Sequence, residues 1–407
     1  MSRIKDTDLI EQGKDQYEWA RANMKILTHA ISKMKSRPLQ NTTLGICLQI
    51  TKETAVLLMG LKQLGAKIVC CAGNPLTTQD DIAAFLDSQG IEIFAWSGQT
   101  KSEYEWCQTQ VLQHKPDIIT DDGGDLNIKA HKTKLKILGA TEETTTGVTR
   151  YQSMQRQGKL RYPIIAVNDA KTKMLFDNQY GTGQSTIDGL LQAMNLLFAS
   201  KRVVVAGYGW LGRGVAKKCQ GMGARCIITE ANPIKALEAH MDGFDVMPMS
   251  QAAQLGDIFI TCTGMRDIIT KNHLLSMKSG AVVGNVGHFD VEIDAKFLLT
   301  KSKSVRQVRP NLDECVLPNN KKIYLVSKGR VANLIASEGH PPEIMALSFS
   351  NQLYSILYIL QNHKKMQNQV YPVPQEIDNQ IAQDALDSMN IKIDKLSKKQ
   401  IQYQSSW

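Results

Sequence analysis

Short apolar runs alternate with amphipathic stretches through the first third of the chain. Leu44–Ile50 (LGICLQI), Ala66–Ala72 (AKIVCCA), Ile91–Trp96 (IEIFAW) and Asp117–Asp122 (DIITDD) are strand-length apolar runs, and Lys52–Gly65, Thr77–Gly90 and Lys101–His114 between them have the length and spacing of helices. Strands separated by helices cannot pair as hairpins, so the pattern predicts a parallel sheet with helices on both faces. Ligands bind beyond the carboxyl ends of such strands, where Gln49, Asn74 and Asp122 stand. A second series follows, with apolar runs at Val203–Ala206, Cys226–Glu230, Asp257–Gly264 and Ala281–Phe289. Pro342–Gln361 is apolar at helical spacing and predicts a long helix returning to the first unit. Beyond two further prolines, residues 373–407 read as short amphipathic helices, which cannot bury an apolar face alone and are expected to pack on their own chain or a neighbouring subunit. The expected fold is α/β, with two doubly wound parallel-sheet domains and a short helical C-terminal tail. The expected boundaries are 1–183 for the first part of one domain, 184–341 for the other, 342–372 for the returning helix and 373–407 for the tail.

Composition narrows the class. The 407 residues, 43% of them hydrophobic, suffice for two or three ordinary cores. No run approaches the roughly 18 apolar residues of a membrane span, and the opening MSRIKDTDLIEQGKDQYEWA lacks a signal-peptide core, so a cytoplasmic protein with no membrane partner is expected. The net charge of +9 is spread in short clusters such as Lys321-Lys322, with no aromatic-interleaved basic stripe, which argues against nucleic acid as a partner. Eight scattered cysteines without CxxC or zinc-like spacing predict reduced core thiols and no metal site.

The most specific signal is VVVAGYGWLGRG at Val203–Gly214. An apolar strand feeds Gly207-x-Gly209-x-x-Gly212 and then a helix, as in a dinucleotide-binding βαβ unit. Gly207 serves the tight turn, Gly209 the approach of a pyrophosphate and Gly212 close packing of helix on strand. Glu230 ends the next strand, where a carboxylate accepts both ribose hydroxyls and repels a 2′-phosphate. NAD is therefore the expected cofactor.

Further segments carry a resemblance in combination: Thr78-Gln79-Asp80, Asp121-Asp122-Gly-Gly-Asp125, Glu142-Glu143-Thr-Thr-Thr-Gly147, Lys173 with Asp177-Asn178, Gly287-His288-Phe-Asp290 and Gly339-His340-Pro341. With the glycine fingerprint, and in this order from about residue 3 to the terminus, they resemble the S-adenosylhomocysteine hydrolase (adenosylhomocysteinase) family. The resemblance implies a homotetrameric hydrolase that holds NAD as a prosthetic group and cleaves S-adenosylhomocysteine to adenosine and homocysteine, with the first domain binding substrate and the second NAD. Oxidation at C3′ acidifies the C4′ hydrogen, homocysteine is eliminated, water adds and the 3′ position is reduced again. By resemblance Lys173 and Asp177 flank the 3′-hydroxyl, with a lysine of lowered pKa as base, although an i,i+4 pair can equally be an ordinary ion pair. Asp122 resembles the acid near C4′, Glu143 the carboxylate on the ribose hydroxyls, His288 the proton carrier near C5′ and His340 a residue at the hinge and substrate mouth beside Gly339. Leu48, Thr51, Glu53, Leu334, Met345 and Phe349 match positions around the purine. Thr144, Thr145, Thr146, Asn178, Trp210, Leu211, Lys235, Thr263, Gly264, Asn285, Val286, Gly287, His288 and Asn333 join the fingerprint glycines and Glu230 as NAD contacts.

Departures from the family pattern qualify this picture. Gln49 stands where the family places a histidine at the reaction centre, and an amide cannot exchange a proton near neutral pH. Thr182 replaces a cysteine of many members, Lys235 an asparagine and Glu338 a methionine, as in the shorter archaeal and bacterial branch. Lys399 and Tyr403 keep a four-residue spacing in the tail without the motif of the longer branch. Two alternatives stay open: a hydrolase of S-inosylhomocysteine, and a catalytically silent NAD-binding regulator motivated by Gln49.

Overall fold

The computed structural model describes residues 2–287 and 290–407. The first lobe contains β1 (Thr43–Leu48), β2 (Lys67–Ala72), β3 (Glu92–Phe94), β4 (Ile118–Asp121), β5 (Gly139–Glu142) and β6 (Ile164–Ala166). The second contains β7 (Arg202–Ala206), β8 (Arg225–Thr229), β9 (Asp245–Val246), β10 (Ile258–Thr261), β11 (Ala281–Asn285), β12 (Ser304–Arg309), β13 (Leu312–Val316) and β14 (Lys322–Val326); β15 (Val370–Pro372) returns to the first.

The first sheet has the order β15-β6-β5-β4-β1-β2-β3, with every neighbouring pair parallel. Its strands are buried on both faces because helices cover each side, with one apolar cluster containing Ile46, Leu57 and Phe349 and the other Val69, Val111 and Tyr151. The second sheet has the order β12-β13-β14-β11-β10-β7-β8-β9. It is parallel from β9 to β14, as expected of a doubly wound domain, and β12 and β13 extend it as an antiparallel edge beside β14. Only Pro310 and Asn311 connect β12 to β13, with Asn311 at φ +59°, and a link that short reverses the chain where a parallel pair needs a crossover.

Each sheet has one place where the chain order changes direction. From β1 the chain runs outward through β2 and β3, then returns to β4 on the other side; β7 and β10 repeat this in the second sheet. The crevices at the carboxyl ends of β1/β4 and β7/β10 are therefore the natural ligand sites. Gln49 and Asp122 follow the first pair, and Gly207 and Thr263 the second.

The helix Pro342–Asn362 returns to the first lobe, where it packs on the helices Lys25–Lys33 and Lys52–Gln63 and on β5. The helix Gln375–Ser388 packs on Lys25–Lys33 and on the returning helix, anchored by Lys33 Nζ 2.7 Å from Asp384. That half of the tail thus covers its own chain. The last helix, Lys398–Gln404, leaves Ile401 and Tyr403 exposed. No helix is long and apolar enough to cross a membrane among the described residues.

Candidate active site

Beyond β1 and β4, Gln49 and Asp122 meet. The Gln49 amide donates to Asp122 Oδ2 at 2.8 Å and accepts from the Thr77 hydroxyl, which fixes its orientation. Asp122 is buried, and its Oδ1 has no hydrogen-bond partner among the described residues. A buried, half-satisfied carboxylate at a sheet switch point is aimed at something the protein alone does not supply.

The chain between the lobes winds wider than an α-helix over Met174–Gly181, a π-helical stretch of the kind concentrated at functional sites. It carries Asp177 at the centre of a buried relay. Lys173 Nζ lies 2.9 Å from Asp177 Oδ1, 3.0 Å from Asn178 Oδ1 and 3.3 Å from Asn168 Oδ1, so its three donors are all engaged. Asp177 Oδ2 lies 2.9 Å from His340 Nδ1, and His340 Nε2 lies 3.1 Å from the Thr182 hydroxyl. Burial works against the Lys173 charge, but the carboxylates of Asp177 and Glu143 outweigh it and hold its pKa above the ordinary value. This corrects the expected lowered lysine: unliganded, Lys173 is an ammonium ion. Burial also works against the Asp177 charge, yet His340 and Lys173 pull its pKa well below the carboxylate range.

Glu143, directly after β5, faces the same cluster. Its Oε1 accepts from the Ser348 hydroxyl and its Oε2 from Gln352 Nε2 at 2.5 Å. Burial pushes its pKa up to about 7, with Lys173 opposing and Asp177 adding. Ser348 and Gln352 were not anticipated, although a signal existed: Ser348, Ser350, Asn351 and Gln352 form a polar run in an apolar helix, all fully buried. Lys52 and Thr77 were missed as well.

The residues matched to the purine gather around the start of the helix Lys52–Gln63 and the segment leading out of the second lobe. Thr51 caps that helix through its hydroxyl, Leu48 and Phe349 are buried, and Leu334 and Met345 are half-buried. Glu53 is buried, and its Oε1 accepts no hydrogen bond from a described residue. Lys52 Nζ lies 2.5 Å from Glu338 Oε2, bridging the first lobe to that segment. Gly339, at φ +86°, makes the turn that brings His340 back to Asp177.

The second crevice fits a dinucleotide on three observations. Gly207 has φ +98°, a Cβ on Gly212 would lie 2.0 Å from Gly207 O, and a Cβ on Gly209 would meet nothing within 4 Å, leaving that face open to an approaching phosphate. Glu230 is oriented by the backbone N–H groups of Tyr208, Ala231 and Asn232 at 2.7–2.9 Å; burial opposes its charge, but these donors keep its pKa below the ordinary value. Asn333 is buried with Oδ1 unpartnered among the described residues, its amide donating to Ser185 at 3.3 Å.

The remaining residues matched to NAD contacts are spread over the second lobe, the first lobe and the link between them. Trp210 and Leu211 open the helix after Gly209, Lys235 is exposed beyond Glu230, and Val286 and Gly287 follow β11. Thr263 and Gly264 donate backbone N–H groups to Glu292, a fully buried carboxylate absent from the expected set that shapes this loop. Asn285 ties Gly287 through its side chain. Thr144 caps the helix Thr145–Arg156, leaving Thr145 and Thr146 at its amino end, and Asn178 is held by Lys173. His288, expected to carry protons near C5′, lies outside the described residues.

Comparison with known proteins bears on this arrangement. A family described as "S-adenosyl-L-homocysteine hydrolase, NAD binding domain" matches residues 178–339, and "S-adenosyl-L-homocysteine hydrolase" matches residues 1–136. An adenosylhomocysteinase of Sulfurisphaera tokodaii is 54% identical over 100% of this chain and 98% of its own. An S-inosyl-L-homocysteine hydrolase of Methanocaldococcus jannaschii is 48% identical over 100% and 99%. Among solved structures, a dipicolinate synthase from Bacillus halodurans aligns with a TM-score of 0.50 at 14% identity, covering 79% of this chain and 99% of that one, a likeness of fold alone.

Proposed function

Because this chain belongs to the S-adenosyl-L-homocysteine hydrolase family, we propose that its buried Lys173–Asp177–Glu143 cluster, with Asp122, performs the reaction of that family. The protein is an NAD-dependent hydrolase that converts S-adenosyl-L-homocysteine to adenosine and L-homocysteine. Bound NAD supplies a hydride acceptor at the start of the cycle and a hydride donor at its end.

The observation that carries this reading is the buried lysine at the joint of the two lobes, holding three acceptors and sharing Asp177 with His340. Its longest contact, 3.3 Å to Asn168, is the one most readily exchanged for a substrate oxygen. Once Lys173 has given up its ammonium proton, its amine takes the proton of the 3′-hydroxyl as the 3′ carbon is oxidised, and Asp177 steadies the ammonium that forms. Glu143 accepts a hydrogen bond from the ribose. With a ketone at C3′, Asp122 removes the C4′ proton through its unpartnered Oδ1, the C5′–S bond breaks as the C4′–C5′ double bond forms, and the proton held by Asp122 leaves with the sulfur as homocysteine. Gln49 holds Asp122 from the other side and exchanges no proton itself. Water adding at C5′ and the same steps in reverse complete adenosine. On this reading residues 1–183 and 342–372 bind substrate, 184–341 bind NAD, and the tail 373–407 takes part in a homotetramer in the cytoplasm.

The test is release of thiol and adenosine from S-adenosyl-L-homocysteine by the NAD-loaded protein, expected in equal amounts. Lys173→Met should lower turnover about 10³-fold, within the range for a lost acid–base group, while NAD stays bound. Near-normal turnover of that variant would remove Lys173 from the mechanism.

A further inference from the structure

Among the described residues only two lysines are buried, Lys173 and Lys52. Lys52 belongs to no motif, and it stands at the first position of the helix Lys52–Gln63 with its backbone N–H held by Gln79 Oε1 at 3.0 Å. Its ammonium lies between two carboxylates: outward, Glu338 Oε2 at 2.5 Å on an exposed side chain; inward, Glu53 Oε1 at 3.5 Å. Glu53 is 2% exposed, and that same Oε1 accepts no hydrogen bond from a described residue. The inner carboxylate is therefore buried, with one oxygen that no described residue donates to and one cation beside it.

The cation is the strongest influence favouring the charge of such a carboxylate, against a desolvation that favours the protonated form. The distinction matters for recognition. Ionised, the free oxygen of Glu53 can only accept a hydrogen bond; protonated, it can donate one. A purine with a 6-amino group presents a donor at that position, and a 6-oxo purine presents an acceptor. Resting on the reading that places the purine against Glu53, we infer that Lys52 is a specificity-determining, positioning residue: it keeps Glu53 a carboxylate, so the site takes a 6-aminopurine nucleoside and rejects the 6-oxo counterpart. The other groups facing Glu53 are the Thr51 hydroxyl and the Glu53 backbone N–H, both favouring the charged form, while burial is the largest influence and leaves the Glu53 pKa above its ordinary value even with Lys52 beside it. Glu338 reaches Lys52 from the segment leaving the second lobe and steadies the ammonium at the mouth.

The experiment compares kcat/KM for S-adenosyl- and S-inosyl-L-homocysteine in NAD-loaded wild type, Lys52→Met and Lys52→Arg. Lys52→Met should narrow the adenosyl preference about 10-fold or more, the factor expected for a mismatched buried hydrogen bond, whereas Lys52→Arg should hold it. The change should fall on KM rather than kcat, because the base is remote from the reacting carbons. In Lys52→Met the adenosyl preference should also rise with pH as Glu53 ionises, with its midpoint at a higher pH than any such rise in wild type. In a Glu53→Gln background Lys52→Met should add nothing to the ratio. Lys52→Gln serves as the neutral variant if Lys52→Met does not fold. An unchanged ratio in both neutral variants, or additive effects with Glu53→Gln, overturns the inference while leaving the hydrolase reading intact. Release of nucleoside from neither substrate by wild type overturns both.

Discussion

Three side chains show how the fold sets hydrogen bonding and charge in the candidate site. Gln49, an amide where the resemblance leads one to expect a histidine, bridges Thr77 and Asp122 and so fixes the orientation of that carboxyl. Lys173 shows why residue type alone misleads about charge: burial acts on it as expected, but Asp177 at 2.9 Å and the nearby Glu143 reverse the outcome. Glu143 absorbs the cost of that arrangement. Its carboxyl titrates near 7 in the folded protein but at 4.5 as a free side chain, so between those values the folded state holds a proton the unfolded state has lost. Stability from this group is complete below pH 4.5 and is lost as pH rises through 7, a change of about 3 kcal/mol. Glu143→Gln should remove that part of the decline, since the unpartnered Oε1 of Gln352 can turn to accept from the new amide. Thermal unfolding of the NAD- and substrate-free proteins from pH 5 to about pH 8 checks this; parallel declines would mean that Glu143 is ionised throughout.

At the scale of elements, most strands and helices follow from the apolar pattern, and the deviations have identifiable causes. The π-helical Met174–Gly181 was invisible because its backbone is widened by tertiary contacts: Gly214 approaches so closely that a Cβ there would lie 1.9 Å from Gln179 O. The antiparallel edge of the second sheet depended on a two-residue link rather than on the composition of its strands. The glycine fingerprint was legible in full, because each glycine answers a local steric demand. Gly212→Ala should therefore destabilise the second lobe by about 1–3 kcal/mol and weaken NAD binding, since the opposing atom is backbone and cannot swing away. Unfolding midpoints and NAD titration of the variant measure both; wild-type values would mean the loop can open without loss.

The whole molecule is two sheets whose ligand crevices are joined by the Asp177 relay, with the chain crossing between lobes at the π-helical stretch and again near Gly339. The second crevice holds an unpartnered buried Asn333 Oδ1 and the first holds Asp122 Oδ1 and Glu53 Oε1, so the protein leaves polar atoms for ligands to satisfy. NAD that binds only the folded state should raise the unfolding temperature of stripped protein in proportion to the logarithm of its concentration, adding about 2.7 kcal/mol at a hundred times Kd. Scanning calorimetry over a range of NAD concentrations reads this directly, and a midpoint independent of NAD would show that the crevice does not select the folded state.

The sequence by itself determined the α/β class, the dinucleotide fingerprint and the family, because these rest on local periodicity, on steric demands met by single glycines and on motifs kept in order. It also placed Lys173 four residues from Asp177 and thereby announced their contact. Only the tertiary structure decided which charges face one another. Glu338 reaches Lys52 across 286 positions, His340 reaches Asp177 across 163 and Gln352 reaches Glu143 across 209. Protonation inside a protein depends on burial and on the sum of nearby charges, and neither is defined until the chain has brought distant segments together.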